Sequence, residues 1–216
     1  MTDNLWSIIW PGILQTLQMT LLSTLFAYII GLPYGILLKI TDKNDVMENR
    51  VIHSILAFVA NILRSIPFMI LLVFLIPFTR FVVGTSLGTQ ASIVPLTVGT
   101  IPIVARMVEA SLNEIQPGII EAAKAMGANT LEIIFFFLIP ECMPSLLTGT
   151  AINMATVLGY SAMAGCIGGG GLGAIALNYG YYRYQTDILV VTVLVLILIV
   201  QIFQESGNLL AKKIRH

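Results

Sequence analysis

The chain has 216 residues, 57% of them hydrophobic and only 10% charged, with 11 basic side chains balanced by 11 acidic ones. Soluble domains carry about 25% charged residues, so a water-soluble fold is excluded and an all-α integral membrane protein is expected. A formal net charge of zero leaves no basic footprint for nucleic acid.

Residues 1–12 contain Asp3 but no Lys or Arg. A cleaved signal peptide starts with a basic region, so the first apolar stretch is expected to be retained. Charges are missing over 4–38, 65–79, 81–105, 142–182 and 188–204. A helix needs roughly 20 apolar residues to cross a bilayer. These runs predict about five spans, near 14–38, 56–79, 89–111, 140–165 and 187–208, in a single membrane domain covering 1–216. The apolar stretches are continuous and do not alternate with period two, which excludes a β-barrel.

The first span carries Gly31 and Gly35 at the small-xxx-small spacing that lets helices approach closely. The second contains Arg64, followed by Ser65-Ile66-Pro67. An arginine in hydrocarbon faces protein or a water-filled cavity. Arg64 either snorkels to the interface or contacts a transported molecule, and Pro67 is positioned to kink the helix. The third span ends with Arg106 and Glu109, spaced to neutralise each other on one helix face.

A polar segment follows, with a helix expected near 117–128. It reads Glu121-Ala122-Ala123-Lys124-Ala125-Met126-Gly127, and Pro140 comes thirteen residues after the glycine. Ala122, Ala123 and Ala125 are small enough for a partner surface to approach the backbone. Glu121 offers one charge for an Arg or Lys on that partner, and Gly127 suits a helix C-terminus.

The fourth span holds the small and polar patch Gly159-Tyr160-Ser161-Ala162-Met163-Ala164-Gly165. It serves either close helix packing or the lining of a passage, with Tyr160, Ser161 and Met163 as pathway or gate candidates. The run 142–182 is too long for one span, so its Gly- and Tyr-rich second half is read as a re-entrant or surface loop. There, Gly168-Gly169-Gly170-Gly171-Leu172-Gly173 formally contains a dinucleotide fingerprint. That fingerprint needs a preceding strand, and here a membrane helix precedes. A flexible loop, tight turns against neighbouring helices and an element near an outer gate remain the readings.

Cys142 and Cys166 would sit at opposite ends of the fourth span, roughly 36 Å apart, too far to pair. His53 and His216 have no clustered ligands, so no metal site is expected. Catalytic residues are not expected either, because the spans lack convergent acids, histidines or metal ligands. No Gly-x-x-x-x-Gly-Lys-Ser/Thr sequence occurs, so ATP, if used, is used by another polypeptide.

Basic residues set the expected orientation. Lys39, Lys43 and Arg50 follow the first span, Lys124 follows the third, and Lys212, Lys213 and Arg215 follow the fifth, against Arg80 and Arg183 on the opposite side. The N-terminus is therefore expected outside, with the C-terminus and the Glu121 segment in the cytosol.

The Glu-Ala-Ala spacing, with Gly127 and Pro140, resembles the coupling loop of ABC-importer permeases. The likeness runs nearly end to end with the permease subunit of methionine ABC importers. It is carried by Gln15-Thr16-Leu17-Gln18-Met19-Thr20, Arg64-Ser65-Ile66-Pro67-Phe68, Ile76-Pro77-Phe78-Thr79-Arg80, Ile93-Val94-Pro95-Leu96-Thr97-Val98-Gly99 and Leu158-Gly159-Tyr160-Ser161-Ala162-Met163. Polar-amino-acid permeases tend to have Arg-Gly-Thr-Pro where this chain has Arg64-Ser65-Ile66-Pro67, which favours the methionine branch. The family's Ile-x-Leu-Pro is here Leu138-Ile139-Pro140 after Phe137, a swap that keeps apolar character.

The resemblance implies a type I importer permease in the cell membrane, with five helices and a cytosolic coupling helix. It implies a homodimer bound to two ATPase subunits and supplied by an extracytoplasmic binding protein. No cofactor is implied in this chain. Glu121, Ala122, Ala123, Ala125, Gly127 and Pro140 would form the ATPase-coupling element. The alternative is the same architecture carrying another amino acid, such as cystine or glutamine.

The orientation is tested by Asp3→Cys and Ile214→Cys in a background lacking Cys142 and Cys166. A membrane-impermeant maleimide is expected to label the two from opposite sides. Labelling from one side means an even number of spans.

Overall fold

A computed structural model describes residues 2–43 and 45–214. Arg215 and His216, named above, lie outside the described residues, as do Met1 and Asn44. Every regular element among the described residues is helical. α1 (Thr2–Ile40) is followed by α2 (Arg50–Ser65), α3 (Phe68–Phe74), α4 (Ile76–Val83) and α5 (Thr89–Asn113). Then come α6 (Pro117–Ala125), α7 (Thr130–Glu132), α8 (Ile139–Gly165), α9 (Gly171–Ile175) and α10 (Thr186–Ile214).

Four stretches among the described residues are long and apolar enough to cross a membrane: Leu5–Ile40, Thr89–Asn113, Thr130–Gly165 and Thr186–Ile214. The α2–α3 pair passes the same test only when taken together, and it bends by 99° between its halves. Counted as one crossing, it supplies the fifth. The single span expected near 56–79, with a kink at Pro67, is thus broken into two helices at that point. Pro67 has no N–H to donate and its ring disfavours helical backbone at the preceding residue. Ile66 accordingly sits at φ −81°, ψ 121°.

α1 is longer than the 14–38 expected for it. Its 39 residues span about 58 Å at about 1.5 Å per residue, well past a hydrocarbon core of about 30 Å. The apolar boundary and the helix boundary differ because no charge or capping signal stops the helix at residue 14.

α1 and α5 pack along each other. A side chain at Gly31 would run into Val104, and one at Gly35 into Val108 and the Ala105 carbonyl. Lipid offers no hydrophobic drive for helix association, so close backbone approach of this kind holds spans together. α10 packs on α8, with Gly207 against Ala151. α2 leans on α5 through Arg106, whose Nη2 donates to the Ala57 carbonyl at 3.2 Å and to Asn61 Oδ1 at 2.9 Å. Arg106 Nη1 pairs with Glu109 Oε2 at 2.7 Å, as the spacing predicts.

The fourth crossing starts earlier than 140. Asn129 and Glu132 form a reciprocal capping box that launches α7. A π-helical turn over Ile133–Leu138 carries the chain without interruption into α8. Pro140 therefore lies inside a continuous helix. The wider turn, in which the Ile139 N–H donates to the Ile134 carbonyl five residues back, accommodates its ring.

The glycine-rich segment is neither a flexible loop nor a nucleotide cradle. After α8 the chain turns back and α9 packs against α8 and α1. The Gly171 N–H donates to Gln15 Oε1 at 2.7 Å and the Leu172 N–H to Thr16 Oγ1 at 2.9 Å. Gly168, Gly170 and Gly171 all have φ between 77° and 92°, a region that strains any side chain. Gly173 lies against Ala162 of α8 so closely that a Cβ would not fit. A second π-helical turn, Ala176–Tyr181, leads towards α10.

Candidate functional site

Two places combine exposure with unusual chemistry. The first is α6. Pro117 occupies its first turn, where a missing N–H costs nothing. The far end closes with two reciprocal bonds: Ala128 N–H to the Ala123 carbonyl at 3.1 Å and Gly127 N–H to the Lys124 carbonyl at 3.0 Å. Gly127, at φ 82°, supplies the left-handed residue this closure demands.

The four small or charged residues named from the sequence do not share one environment. Glu121, Ala122 and Ala125 are exposed, as is Gly127, whereas Ala123 is completely buried. Ala123 belongs to a core that joins Ile36 and Ile40 of α1, Val108 and Leu112 of α5, and Ile133 and Leu138 of the first π turn. It seats α6 on the spans, and of the three alanines only Ala122 and Ala125 are on the exposed face. Glu121 makes no ion pair with any described residue. Pro140 is exposed and borders a crevice of about 900 Å³ that Glu114, Gln116, Glu141, Ser145 and Lys212 also line.

The second place lies at the break between α2 and α3, where they meet the middle of α5 and the last turns of α8. Tyr160 of α8 stacks on Phe68 of α3, with ring centroids 4.2 Å apart and planes 4° from parallel. The stack borders a cavity of about 250 Å³ that Arg64 and Gly99 also line. The structure thus brings Arg64 and Tyr160 together in a cavity bordered by α2, α3, α5 and α8. It does not bring Ser161 with them: that hydroxyl is buried and donates to the Leu158 carbonyl of its own helix at 2.7 Å. Met163 is 42% exposed and is not among the residues bordering the cavity. Cys142 and Cys166 are both free thiols.

Sequence reasoning did not single out Phe68 as a cavity wall. Nor did it find Gln15 and Thr16 as the clamp on the glycine turn, although two adjacent polar residues in an apolar helix are a usable signal. Among the described residues, no group of His, Cys, Asp and Glu is arranged to hold a metal ion.

Residues 31–216 match the model of a family described as "Binding-protein-dependent transport system inner membrane component". A protein of Pasteurella multocida described as "Probable D-methionine transport system permease protein MetI" is 44% identical over 216 residues, covering all of both chains. The "D-methionine transport system permease protein MetI" of Salmonella typhimurium is 53% identical over 154 residues, 71% of each chain. A chain from the structure "Inward facing conformations of the MetNI methionine ABC transporter" superposes with a TM-score of 0.99, covering all of both chains at 42% identity.

Proposed function

This chain belongs to the family of binding-protein-dependent transport system inner membrane components, and from that premise we propose that it is the membrane-spanning subunit of an ATP-driven methionine importer. The observation that carries the substrate is the match, over the full length of both chains, to a methionine transporter and to relatives described as methionine permeases. An ABC importer requires an ATPase, and α6 is the element suited to engage it. It offers the exposed Glu121, Ala122, Ala125 and Gly127 as a small-residue face with one charge, beside the exposed Pro140. The Glu121 segment then faces the cytosol, the N-terminus lies outside, and ATP is bound by the partner. The working assembly is two copies of this chain, two ATPase subunits and an extracytoplasmic binding protein. Rocking of the ATPases reaches the spans through α6 and opens the passage between the copies.

Reconstitution with the ATPase and binding protein in proteoliposomes is expected to give ATP-dependent uptake of methionine. Uptake of cystine or glutamine instead moves the chain to the alternative substrate. Docking is tested by contrast within α6. Ala122→Arg and Ala125→Arg put bulk on the exposed face and are expected to weaken ATPase capture by at least about fivefold, as hot-spot losses of ~1–3 kcal/mol require. Both variants should keep the thermal stability of the isolated permease. Ala123→Arg buries an unpaired charge and should cost the permease itself roughly 3–5 kcal/mol. Full ATPase capture by both Ala122→Arg and Ala125→Arg contradicts the docking assignment.

Met163 is one of several exposed residues of the fourth span in the single chain, and its place beside Tyr160 and Ser161 makes it the candidate to meet its own copy near a two-fold axis. Its flexible thioether suits closure of a passage without tight binding of the cargo. Met163→Cys, in a background lacking Cys142 and Cys166, is expected to form an inter-subunit disulfide in the resting state. Absence of that cross-link in every nucleotide state removes Met163 from the axis.

A further inference from the structure

We infer that Trp6 and Trp10 anchor the chain to phospholipid: their rings lie among the headgroups at the outer face of the membrane and hold α1 at one depth. The choice of the outer leaflet rests on the orientation given above. The contact itself does not, because an inverted chain places the same rings in the other leaflet.

Depth comes first. Residues 4–38 carry no charge, and α1 is about 58 Å long at about 1.5 Å per residue, against a hydrocarbon core of about 30 Å. Charge alone therefore does not decide which stretch of α1 lies in hydrocarbon. Lys39, in the last turn, pairs with Asp45 at 2.9 Å and marks one boundary. From Lys39 back to Trp10 the helix rises about 44 Å, within the about 40–45 Å of a bilayer counted with its headgroups. Trp6 lies one turn farther out.

The exposed face comes second. Trp6 is 60% exposed and Trp10 58%. Leu14, Leu21 and Leu25 are exposed as well, and intervals of four and seven residues put all five on one face of α1. The glycines and the alanine of α1, Gly12, Ala27, Gly31 and Gly35, are all buried. Helix contacts in lipid are built on such small residues. A stripe of Trp and Leu without them fits acyl chains and headgroups, not a second copy of the chain.

Ring chemistry comes third. An indole is apolar over its rings and polar at one N–H, which suits a boundary that is wet on one side. Neither indole N–H has a partner among the described residues, so both are available to phosphate or ester oxygens of the headgroups. Tryptophan and tyrosine are enriched at membrane–water boundaries for this reason. α10 begins in the same way: Tyr181, Tyr182 and Tyr184 are exposed just before its uncharged run from Ile188. α1 clamps the glycine turn near this end, and its other end shares a core with Ala123 of α6. Fixing the depth of α1 therefore fixes both against the membrane.

The test uses tryptophan emission from the purified permease–ATPase complex in nanodiscs. Trp6 and Trp10 are the only tryptophans of this chain. The difference between the wild type and the double variant Trp6→Phe with Trp10→Phe therefore isolates their signal from that of the ATPase. Phospholipids brominated near the headgroup end of their acyl chains are expected to quench this signal more strongly than phospholipids brominated near the chain ends. Saturating binding protein is expected to leave the quenching unchanged. No quenching by either lipid, stronger quenching by the deep bromines, or loss of quenching on adding binding protein overturns the headgroup contact. The hold on depth is read separately, from a nitroxide at the exposed Leu25→Cys in a background lacking Cys142 and Cys166. Its accessibility to oxygen relative to a water-soluble nickel chelate is expected to shift when Trp6→Ala and Trp10→Ala are combined. An unchanged ratio overturns the anchor. Labelling of Asp3→Cys from the cytosolic side overturns only the choice of leaflet.

Discussion

The burial of Ala123 is the constraint on which the rest depends. A helix that only touches the membrane surface can swing when a partner pulls on it. α6 cannot, because its fully buried Ala123, flanked by the half-buried Ile119 and Ile120, is locked into a core shared by α1, α5 and the start of the fourth crossing. At this end of the molecule the chain meets water, so burying Ile115, Leu112 and Ile133 is driven by the hydrophobic effect, at about 25 cal/mol per Å². Farther along the spans that drive vanishes in lipid, and helices are held by the close approach at Gly31 and Gly35. The two mechanisms meet on α5, whose Val104 and Val108 face those glycines and whose Leu112 lies under α6. A load on α6 is therefore a load on α1, α5 and α8 together.

The opposite end is held by polar satisfaction. The turn that returns the chain from α8 to α9 exposes backbone N–H groups inside the protein. Leaving such groups unpaired costs several kcal/mol in hydrocarbon, about the size of a whole domain's net stability. Gln15 and Thr16 accept two of them. The Gly88 N–H, in turn, donates to the Gly168 carbonyl at 2.9 Å. The same α1 that is locked under α6 thus also clamps the glycine turn, and it links the two ends of the molecule as one continuous helix.

Much of this was legible in the chain. The apolar runs located the crossings because charge is excluded from hydrocarbon on energetic grounds. Gly127 marked the end of α6 because a left-handed residue has one favoured place, at a helix C-terminus. What stayed hidden was geometry that composition does not encode. Pro67 signals a kink in one span, and the 99° size of the bend has no mark in the sequence. Ala123 could not be told from Ala122 and Ala125, since three alanines look alike until the helix is seated. The fourth span is expected to start at Pro140, because a π-helical turn before it leaves no mark in sequence that separates it from an α-helical one. Ser161 was grouped with Tyr160 by adjacency, yet neighbouring residues on a helix point about 100° apart.

The central claim is that α6 and the spans of one copy move as a rigid unit when the ATPase acts. It is tested by pulsed electron spin resonance on the reconstituted complex, with labels at Gly118→Cys on α6 and Leu25→Cys on α1, in a background lacking Cys142 and Cys166. The account predicts that the distance within one copy is the same in nucleotide-free and ATP-bound states, while the Gly118→Cys distance between copies shifts. A change within one copy as large as the change between copies contradicts it.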